Sequence, residues 1–196
     1  MDGITGILKR PMDDTRAEML ELIRELAYKE GNFTLASGKT SDYYVDLRLV
    51  TMHQRGSLLT GVLFFNAIKG TLADNKNVGI TGMTMGADPI ITATALVAEL
   101  EGVTLHPLYT RKEAKAHGTG RALEGYVDPV KAAIVVEDVS TTGGSALKTV
   151  EFVREAGIEP LSVIVLLDRM EGARENVEAA GLSFEPVFTI EDVRRR

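Results

Sequence analysis

The amino-acid sequence predicts an α/β fold in which a central, mostly parallel sheet is flanked by helices and preceded by a small N-terminal unit. From about Gly56 onward, segments of helical periodicity alternate with short apolar runs. The runs are apolar at nearly every position, which is typical of strands buried on both faces of a parallel sheet. A chain of 196 residues has room for one such domain with a sizeable core, so we expect residues 1–196 to form a single domain.

The N-terminal unit is predicted to contain one amphipathic helix and a β-hairpin. Apolar residues recur at helical spacing between Asp13 and Gly31, with Asp13 or Asp14 expected to cap the helix and Gly31 expected to stop it. Two β-prone pieces follow, around Phe33–Leu35 and Tyr43–Leu47, and a short glycine-containing turn divides them. This spacing predicts a hairpin.

The alternating part is predicted to begin with a helix that ends near Leu72. Then we expect strand Val78–Thr81, helix Pro89–Leu100, strands Thr104–Tyr109 and Ala132–Val136, helix Gly144–Ala156, strand Leu161–Leu167, helix Glu171–Ala179 and a strand near Phe184–Phe188. The exception is the polar stretch Thr110–Asp128, which is much longer than a usual connection. Such a stretch inside a compact domain is usually a functional lid or disordered.

The composition excludes several classes of function. The formal net charge of −6 disfavours nonspecific binding to nucleic acid, because the phosphate backbone would be repelled overall. The absence of cysteine excludes disulfides and thiolate metal sites, and the histidines are scattered without zinc-site spacing. We find neither an uninterrupted apolar run of about 20 residues nor the apolar core of a signal peptide. We therefore expect a cytoplasmic protein that binds neither membrane nor nucleic acid.

The strongest chemical signal follows the apolar strand that ends at Val136. Two carboxylates come next, and then a turn of hydroxyl residues and glycines opens a helix. In an open α/β sheet ligands bind at the carboxyl ends of strands, and free amides at a helix N-terminus hold phosphate. The carboxylates would accept hydrogen bonds from a ribose diol while the turn holds its 5-phosphate. The segment is Glu137, Asp138, Val139, Ser140, Thr141, Thr142, Gly143, Gly144 and Ser145.

A plain capped turn is the alternative interpretation of this segment, but it leaves the acidic pair unexplained. The segment has neither the Gly-x-Gly-x-x-Gly pattern of dinucleotide sites nor the Gly-Lys-Ser/Thr of a P-loop. It resembles the phosphoribosyl pyrophosphate signature of the type I phosphoribosyltransferases. By this resemblance all nine residues bind phosphoribosyl pyrophosphate, and Asp138 also acts in catalysis.

A second signal is the cationic cluster that opens the long polar stretch. Arg111, Lys112, Lys115 and His117 lie within seven residues of an otherwise acidic chain. Positioned cations stabilise a leaving pyrophosphate, especially where water is excluded. A solvated charged loop is the alternative, but Arg-Lys-x-x-Lys-x-His-Gly resembles the catalytic loop of the orotate phosphoribosyltransferases. The resemblance implies that these four residues bind phosphoribosyl pyrophosphate and act in catalysis.

Two further segments resemble the same family where it binds the base. The stretch from Leu35 to Asp46 is similar to the family's N-terminal hood, which implies that Tyr44 and Val45 border the orotate ring. Arg169 follows a strand, and its planar guanidinium suits a carboxylate. By resemblance Arg169 and Thr141 contact orotate. Alone, the hood segment would be an edge hairpin and Arg169 part of a surface ion pair.

The turn Gly82–Gly86 matches the position of the family's pyrophosphate loop. We expect Asp88 to cap the following helix, with Pro89 at its first position. Met83 and Met85 are expected to be packing residues. The sequence departs from the family in two places: many members have a lysine where Ala36 stands, and some have one in the pyrophosphate loop where Thr84-Met85-Gly86 stands. Lys39 is a possible substitute in the hood.

The resemblance implies a Mg²⁺-dependent enzyme of pyrimidine biosynthesis. It would transfer the 5-phosphoribosyl group from phosphoribosyl pyrophosphate to orotate, giving orotidine 5′-monophosphate and pyrophosphate. It implies a hood over residues 13–50 and a mobile catalytic loop at 110–128. It also implies Mg²⁺ bound mainly through substrate, without a direct protein ligand, and a homodimer with shared active sites. Two alternatives stay open: transfer to another base, or a regulator that senses phosphoribosyl pyrophosphate.

Overall fold

The computed structural model describes residues 4–34, 38, 40–112 and 122–195, with side chains from residue 6 onward. It contains a two-stranded sheet of order β1-β2 and a six-stranded sheet of order β5-β4-β3-β6-β7-β8. The strands are β1 Tyr28–Thr34, β2 Thr40–Val45, β3 Val78–Thr81, β4 His106–Thr110, β5 Leu123–Gly125, β6 Ala132–Ser140, β7 Glu159–Asp168 and β8 Ser183–Thr189. The helices are α1 Ile4–Leu8, α2 Met12–Leu22, α3 Arg48–Thr51, α4 Gln54–Asp74, α5 Asp88–Leu100, α6 Gly144–Glu155, α7 Ala173–Ala179 and α8 Ile190–Arg194.

The large sheet confirms the predicted architecture. Strands β4, β3, β6, β7 and β8 run parallel, and only the edge strand β5 runs antiparallel to its neighbour. Successive residues of a strand face opposite sides of a sheet, and β6 uses both sides. Ile134 and Val136 join the cluster that includes α4 and α5, whereas Ala133 and Val135 join the cluster that includes α6 and α7. Helices therefore cover both faces, as the continuous apolar strands predicted.

The N-terminal helix ends earlier than predicted. A π-helical turn, Ile23–Ala27, follows α2, and β1 begins at once with Tyr28. Gly31 does not stop the helix but lies at a bulge in β1, with φ of 152°. The reason is tertiary: residues 28–30 pair with β2 and place the Tyr28 ring 5.9 Å from that of Tyr43. This pairing outweighs the local helical pattern.

The predicted cap of this helix was also wrong. Pro11 occupies the N-cap position and makes no side-chain hydrogen bond to the helix. Asp13 and Asp14 lie instead in the first turn, where carboxylates interact favourably with the helix dipole. The hairpin that follows is antiparallel, as predicted.

The polar stretch 110–128 is only partly irregular. Leu123, Glu124 and Gly125 form β5, which pairs with Thr110, Tyr109 and Leu108 of β4. Thr110 and Leu123–Gly125 are thus strand residues of the sheet rather than loop. The prediction missed β5 because its three residues are too short to give a period. Residues 113–121 lie outside the described part of the chain.

Helix α4 has a length and composition that would also suit a membrane span. It has 21 residues, and half of its most apolar window is buried inside the protein. Leu59, Phe64 and Ile68 are fully buried in the core. We interpret α4 as a core helix.

Candidate active site

The predicted site segments meet at the carboxyl ends of β3, β6 and β7, which are neighbours in the sheet. Strands β6 and β7 run side by side until Ser140 pairs with Asp168. The N–H of Arg169 then donates to the carbonyl of Ser140 at 2.9 Å. The turn Gly82–Gly86 lies against the end of β6. Open α/β sheets bind ligands at the carboxyl ends of their strands, which is where these segments lie.

The acidic pair lies within β6, not after it. The strand was predicted to end at Val136, but its ladder with β7 continues through Glu137 to Ser140. Glu137 and Asp138 consequently extend to opposite faces of the strand. Glu137 is near Ser145 at the start of α6, whereas Asp138 lies against the turn before α5. Val139, the next residue of β6, is partly buried and packs against the core.

Burial makes both carboxylates hard to ionise. It raises the pKa of Glu137 to about 7, with a further contribution from the neighbouring charge of Asp138. Burial also raises the pKa of Asp138, and backbone amides and the guanidinium of Arg48 partly offset that effect. The Oε2 atom of Glu137 is buried without a hydrogen-bond partner in the described structure. A buried acceptor of this kind is costly unless a ligand supplies the donor.

The turn after β6 leaves the N-terminus of α6 uncapped. Gly143 adopts the left-handed conformation with φ of 77°, and no side chain caps the helix. A Cβ on Gly143 would also come within 3.3 Å of Val177 on α7. Asn176 fixes the turn by donating to the carbonyl of Thr142 at 2.9 Å. The first amides of α6 therefore have no side-chain acceptor and can hold a phosphate.

Two glycines allow the β3–α5 turn to lie directly on β6. A Cβ on Gly82 would lie 2.2 Å from the carbonyl oxygen of Val136, and one on Gly86 would lie 2.4 Å from Oδ1 of Asp138. Neither position has room for a side chain. Between them the N–H of Thr84 donates to the carbonyl of Thr110 at 2.9 Å. The turn is thus held on both sides, by β4 and by β6.

Two predictions about this turn were wrong. Met85 is 67% exposed and borders a surface depression, so it is not a packing residue. Met83 is half-buried. Asp88 does not cap α5 but is its first residue, after Ala87 as N-cap, and Pro89 is the second residue. Burial raises the pKa of Asp88, and its Oδ1 has no partner in the described structure.

Arg169 connects the sheet to the hairpin. Its side chain is 9% exposed, and its Nε lies 2.8 Å from Oε1 of Glu171. Its Nη2 is 3.4 Å from the Ser41 hydroxyl, and its guanidinium carbon lies 4.6 Å from the centre of the Tyr43 ring. Asp168 makes no ion pair with Arg169; it is buried and accepts from the Met170 N–H at 2.8 Å.

The structure brings Tyr43 to Arg169, a contact that the sequence did not predict, while Tyr44 stays a predicted neighbour of the base. Tyr43 is buried, whereas Tyr44 is 41% exposed and packs on Phe33, with 5.6 Å between ring centres. Val45 is half-buried and pairs with Tyr28 in the hairpin. Neighbouring strand residues face opposite ways, so the register decides which tyrosine meets the sheet. The sequence gives two adjacent tyrosines and no signal to choose between them.

The predicted cationic cluster is only partly described. Arg111 is about half exposed, and its Nε lies 3.0 Å from Oε1 of Glu124 on β5. Lys112 is exposed, and its carbonyl accepts from Lys148 at 2.9 Å. Lys115 and His117 lie outside the described residues, as do the hood positions at Ala36 and Lys39. Thr141, predicted to contact the base, is half-buried and follows Ser140, whose carbonyl accepts from the Arg169 N–H.

Sequence reasoning missed one charged pair near the site. Asp46 and Arg48 form an ion pair of 2.8 Å just after the hairpin, and Arg48 lowers the pKa of Asp46. Both act on the pKa of Asp138, Arg48 by lowering it and Asp46 by raising it. The Asp-Leu-Arg run of residues 46–48 was a possible signal, but short acidic and basic neighbours are common on surfaces.

Comparisons with known proteins show which proteins this chain resembles. No protein-family model matches the chain. The orotate phosphoribosyltransferase of Nostoc sp. is 43% identical over 182 residues, which cover 92% of this chain and 86% of that protein.

Solved structures of orotate phosphoribosyltransferases also match this chain. The crystal structure of Mycobacterium tuberculosis orotate phosphoribosyltransferase in complex with Fe(III) dicitrate matches with a TM-score of 0.77 and 39% identity, covering 91% of this chain and 98% of that one. The complex of the Mycobacterium tuberculosis enzyme with phosphoribosyl pyrophosphate matches with a TM-score of 0.74 and 37% identity, covering 92% and 99%.

Proposed function

The chain belongs to the orotate phosphoribosyltransferase family, and from this premise we propose how its residues carry out the family's reaction. The enzyme transfers the 5-phosphoribosyl group from phosphoribosyl pyrophosphate to orotate, giving orotidine 5′-monophosphate and pyrophosphate. The assignment of roles rests on one observation: three segments lie together at the carboxyl ends of the parallel strands. These are the acidic end of β6 with its phosphate-type turn, the Gly82–Gly86 turn, and Arg169.

Phosphoribosyl pyrophosphate binds along the end of β6 and the start of α6 in this proposal. The amides and hydroxyls of Ser140–Ser145 hold the 5-phosphate, because the N-terminus of α6 has no side-chain cap. Glu137 and Asp138 accept hydrogen bonds from the ribose hydroxyls. The buried, unpartnered Oε2 of Glu137 supports this role, since a ribose hydroxyl supplies the missing donor.

Orotate binds between the end of β7 and the hairpin. The guanidinium of Arg169 lies beside Glu171 and Ser41, and its buried Nε has no hydrogen-bond partner in the described structure, which suits donation to the carboxylate of orotate. Thr141, in the turn after β6, is also assigned to the base. The tyrosines of β2 border the base, and Tyr43 supports the guanidinium while Tyr44 offers an exposed ring.

The chemical step is a displacement at C1 of the ribose through a transition state of oxocarbenium character, with no covalent nucleophile. The Gly82–Gly86 turn presents backbone amides to the pyrophosphate, and Arg111, Lys112, Lys115 and His117 neutralise its developing charge. We assign these cations to a catalytic loop between β4 and β5, within residues 110–128, and we assign a hood to residues 13–50, all within one domain.

We also propose that Mg²⁺ enters the site with phosphoribosyl pyrophosphate. Glu137 and Asp138 are assigned to the ribose hydroxyls rather than to the ion, so the protein supplies no direct metal ligand in this proposal. When bound, Mg²⁺ supplies charge neutralisation of the pyrophosphate and is held chiefly by substrate oxygens and water. The cytoplasm is the proposed compartment, which the cysteine-free composition suits.

The working unit in this proposal is a homodimer with shared active sites. Large apolar side chains are exposed around the groove between α4 and α5, with Met52 70%, Leu96 62% and Leu100 56% exposed. Met52 also borders a depression with Arg48 and the exposed Met85 of the pyrophosphate turn. Exposed apolar surface of this kind favours a partner. A second copy docked there would reach the edge of the active site.

A panel of bases tests the assignment of Arg169. We expect the unaltered enzyme to convert orotate and to leave uracil and purines almost unchanged, because only orotate offers a carboxylate. Arg169→Ala should lower kcat/KM for orotate about 100-fold. Arg174→Ala is a matched control, because Arg174 also pairs with a glutamate (Glu178, 3.2 Å) and lies over an aromatic ring, away from the site. Equal turnover of orotate and uracil would refute the role of Arg169.

A further inference from the structure

Tyr43 of β2 contacts two arginines that come from distant parts of the chain. The guanidinium carbon of Arg169, after β7, lies 4.6 Å from the ring centre, and that of Arg194, at the end of α8, lies 5.3 Å from it. The side chain is buried. Each arginine has its own carboxylate: Glu171 for Arg169 at 2.8 Å and Asp42 for Arg194 at 2.5 Å. Two paired cations therefore share one aromatic ring.

Arg194 is held in place independently of the hairpin. Helix α8 begins with a capping box between Thr189 and Asp192. At its other end Arg24 of the N-terminal unit donates to the carbonyls of Asp192 at 2.8 Å and Val193 at 3.0 Å. The helix is too short to be stable alone, but these contacts fix it. Its last residue, Arg194, then extends to the hairpin.

We propose that Arg194 is a positioning residue for the base site. It holds Asp42 and Tyr43 of β2 in place, and the Tyr43 ring in turn supports the guanidinium of Arg169. This inference rests on the proposed contact between Arg169 and orotate. The physical basis is the attraction of each guanidinium to the ring and of Arg194 to Asp42. The C-terminal helix thereby influences base binding without touching the base.

If Arg194 only stabilised the fold, its loss would lower the Tm and raise KM for both substrates; a positioning role predicts a different result. The ion pair of Arg194 and Asp42 is exposed, with 44% and 65% of the side chains accessible, so it contributes little to overall stability. Loss of Arg194 should leave the fold intact and let Tyr43 and Arg169 take several orientations. The deficit should appear in the binding of orotate, because Arg194 contacts Asp42 and Tyr43 of the hairpin, whereas the phosphoribosyl pyrophosphate segment Glu137–Ser145 lies at the end of β6 and the start of α6.

The test compares Arg194→Ala with Arg195→Ala, which removes the same charge from the next residue. Arg195 is 78% exposed and pairs with Glu191 at 3.8 Å, away from the hairpin. Arg194→Ala should raise KM for orotate between about three- and tenfold. KM for phosphoribosyl pyrophosphate and the Tm should match those of Arg195→Ala. Arg194→Lys should lie between the two, because lysine keeps the charge without the planar fork.

The outcomes separate this inference from the role of Arg169. If Arg169→Ala raises KM for orotate but Arg194→Ala and Arg195→Ala are equal, the positioning role is refuted and the base site stands. If Arg169→Ala leaves KM for orotate unchanged, both proposals fail. A rise in KM for both substrates together with a lower Tm would make Arg194 structural and would also overturn the inference.

Discussion

At the scale of single residues, the site depends on charged groups held away from water. Glu137 is partly buried beside a second carboxylate, and desolvation is the larger of the two causes that raise its pKa to about 7. Such an arrangement costs stability in the empty enzyme and becomes favourable when a ligand donates hydrogen bonds. Perturbed carboxylates of this kind are typical of functional sites.

The titration of Glu137 gives a prediction about pH. Its pKa in the folded state, about 7, lies above the ordinary 4.5, so its contribution to stability is present below about 4.5 and is lost as the pH rises through 7. Binding has the opposite sign, because the ionised carboxylate is the stronger acceptor for ribose hydroxyls. Affinity for phosphoribosyl pyrophosphate should therefore rise as the pH passes through 7.

Calorimetry between pH 5.5 and 8.5 can measure the affinity for phosphoribosyl pyrophosphate of the unaltered enzyme and of Glu137→Gln. The substrate phosphates titrate in the same range, so the difference between the two proteins is the informative quantity. We expect Glu137→Gln to bind more weakly above pH 7 and to approach the unaltered enzyme at low pH. Glu159→Gln, exposed at the opposite end of the sheet, is the control. Parallel curves for the unaltered enzyme and Glu137→Gln would contradict the proposed role.

At the scale of elements, the sequence predicted what depends on local pattern. The strand at Val78–Thr81 has the predicted bounds, because a continuous apolar run between polar turns leaves little choice. The predictions failed where distant pairing decides. Residues 28–30 follow a helical pattern yet pair with β2, and Glu137–Ser140 extend β6 because β7 is available beside them. The hairpin register also places Tyr43 against Arg169, a contact that the sequence did not predict because no local signal sets that register.

The contact between α2 and α4 gives a prediction about stability. Glu18 of α2 accepts from Arg55 of α4 at 2.5 and 2.8 Å and also contacts Arg10. The hydrogen bond from Arg55 is the largest cause that lowers the pKa of Glu18 to about 2. Because the pKa of Glu18 is depressed in the folded state, this stabilisation is present above about pH 4.5 and is lost as the pH falls through about 2.

Glu18→Gln should therefore reduce the free energy of unfolding by about 1 kcal/mol at pH 7, a value that allows for partial solvent screening. The difference from the unaltered protein should shrink as the pH is lowered below 4.5. Urea unfolding at a series of pH values measures it. Glu21→Gln, exposed on the same helix, removes the same charge without this contact. If Glu18→Gln and Glu21→Gln lost equal stability at pH 7, the ion pair of Glu18 with Arg55 would make no net contribution to the free energy of unfolding.

At the scale of the whole molecule, the chain must bind a highly anionic substrate despite a net charge of −6. The described positive groups are placed locally: the uncapped amides of α6, Arg169 after β7, and Arg111 and Lys112 after β4 all follow the carboxyl ends of parallel strands. The described part of this end of the sheet is open on the side of Met52 and Met85, both well exposed. A second subunit on that side would complete the enclosure.

Subunit complementation tests this shared site. Lys115→Ala and Asp138→Asn are each expected to inactivate the enzyme, the first in the loop and the second in the sheet. If the loop of one subunit serves the site of its partner, a mixed dimer has one site with both defects and one with neither. Random pairing makes about half of the dimers mixed, so roughly a quarter of native activity should return on co-expression. If each loop serves its own subunit, every site keeps one defect. Mixed dimers purified with two different tags and showing no recovered activity would refute sharing, while orotate turnover by the unaltered enzyme would still stand.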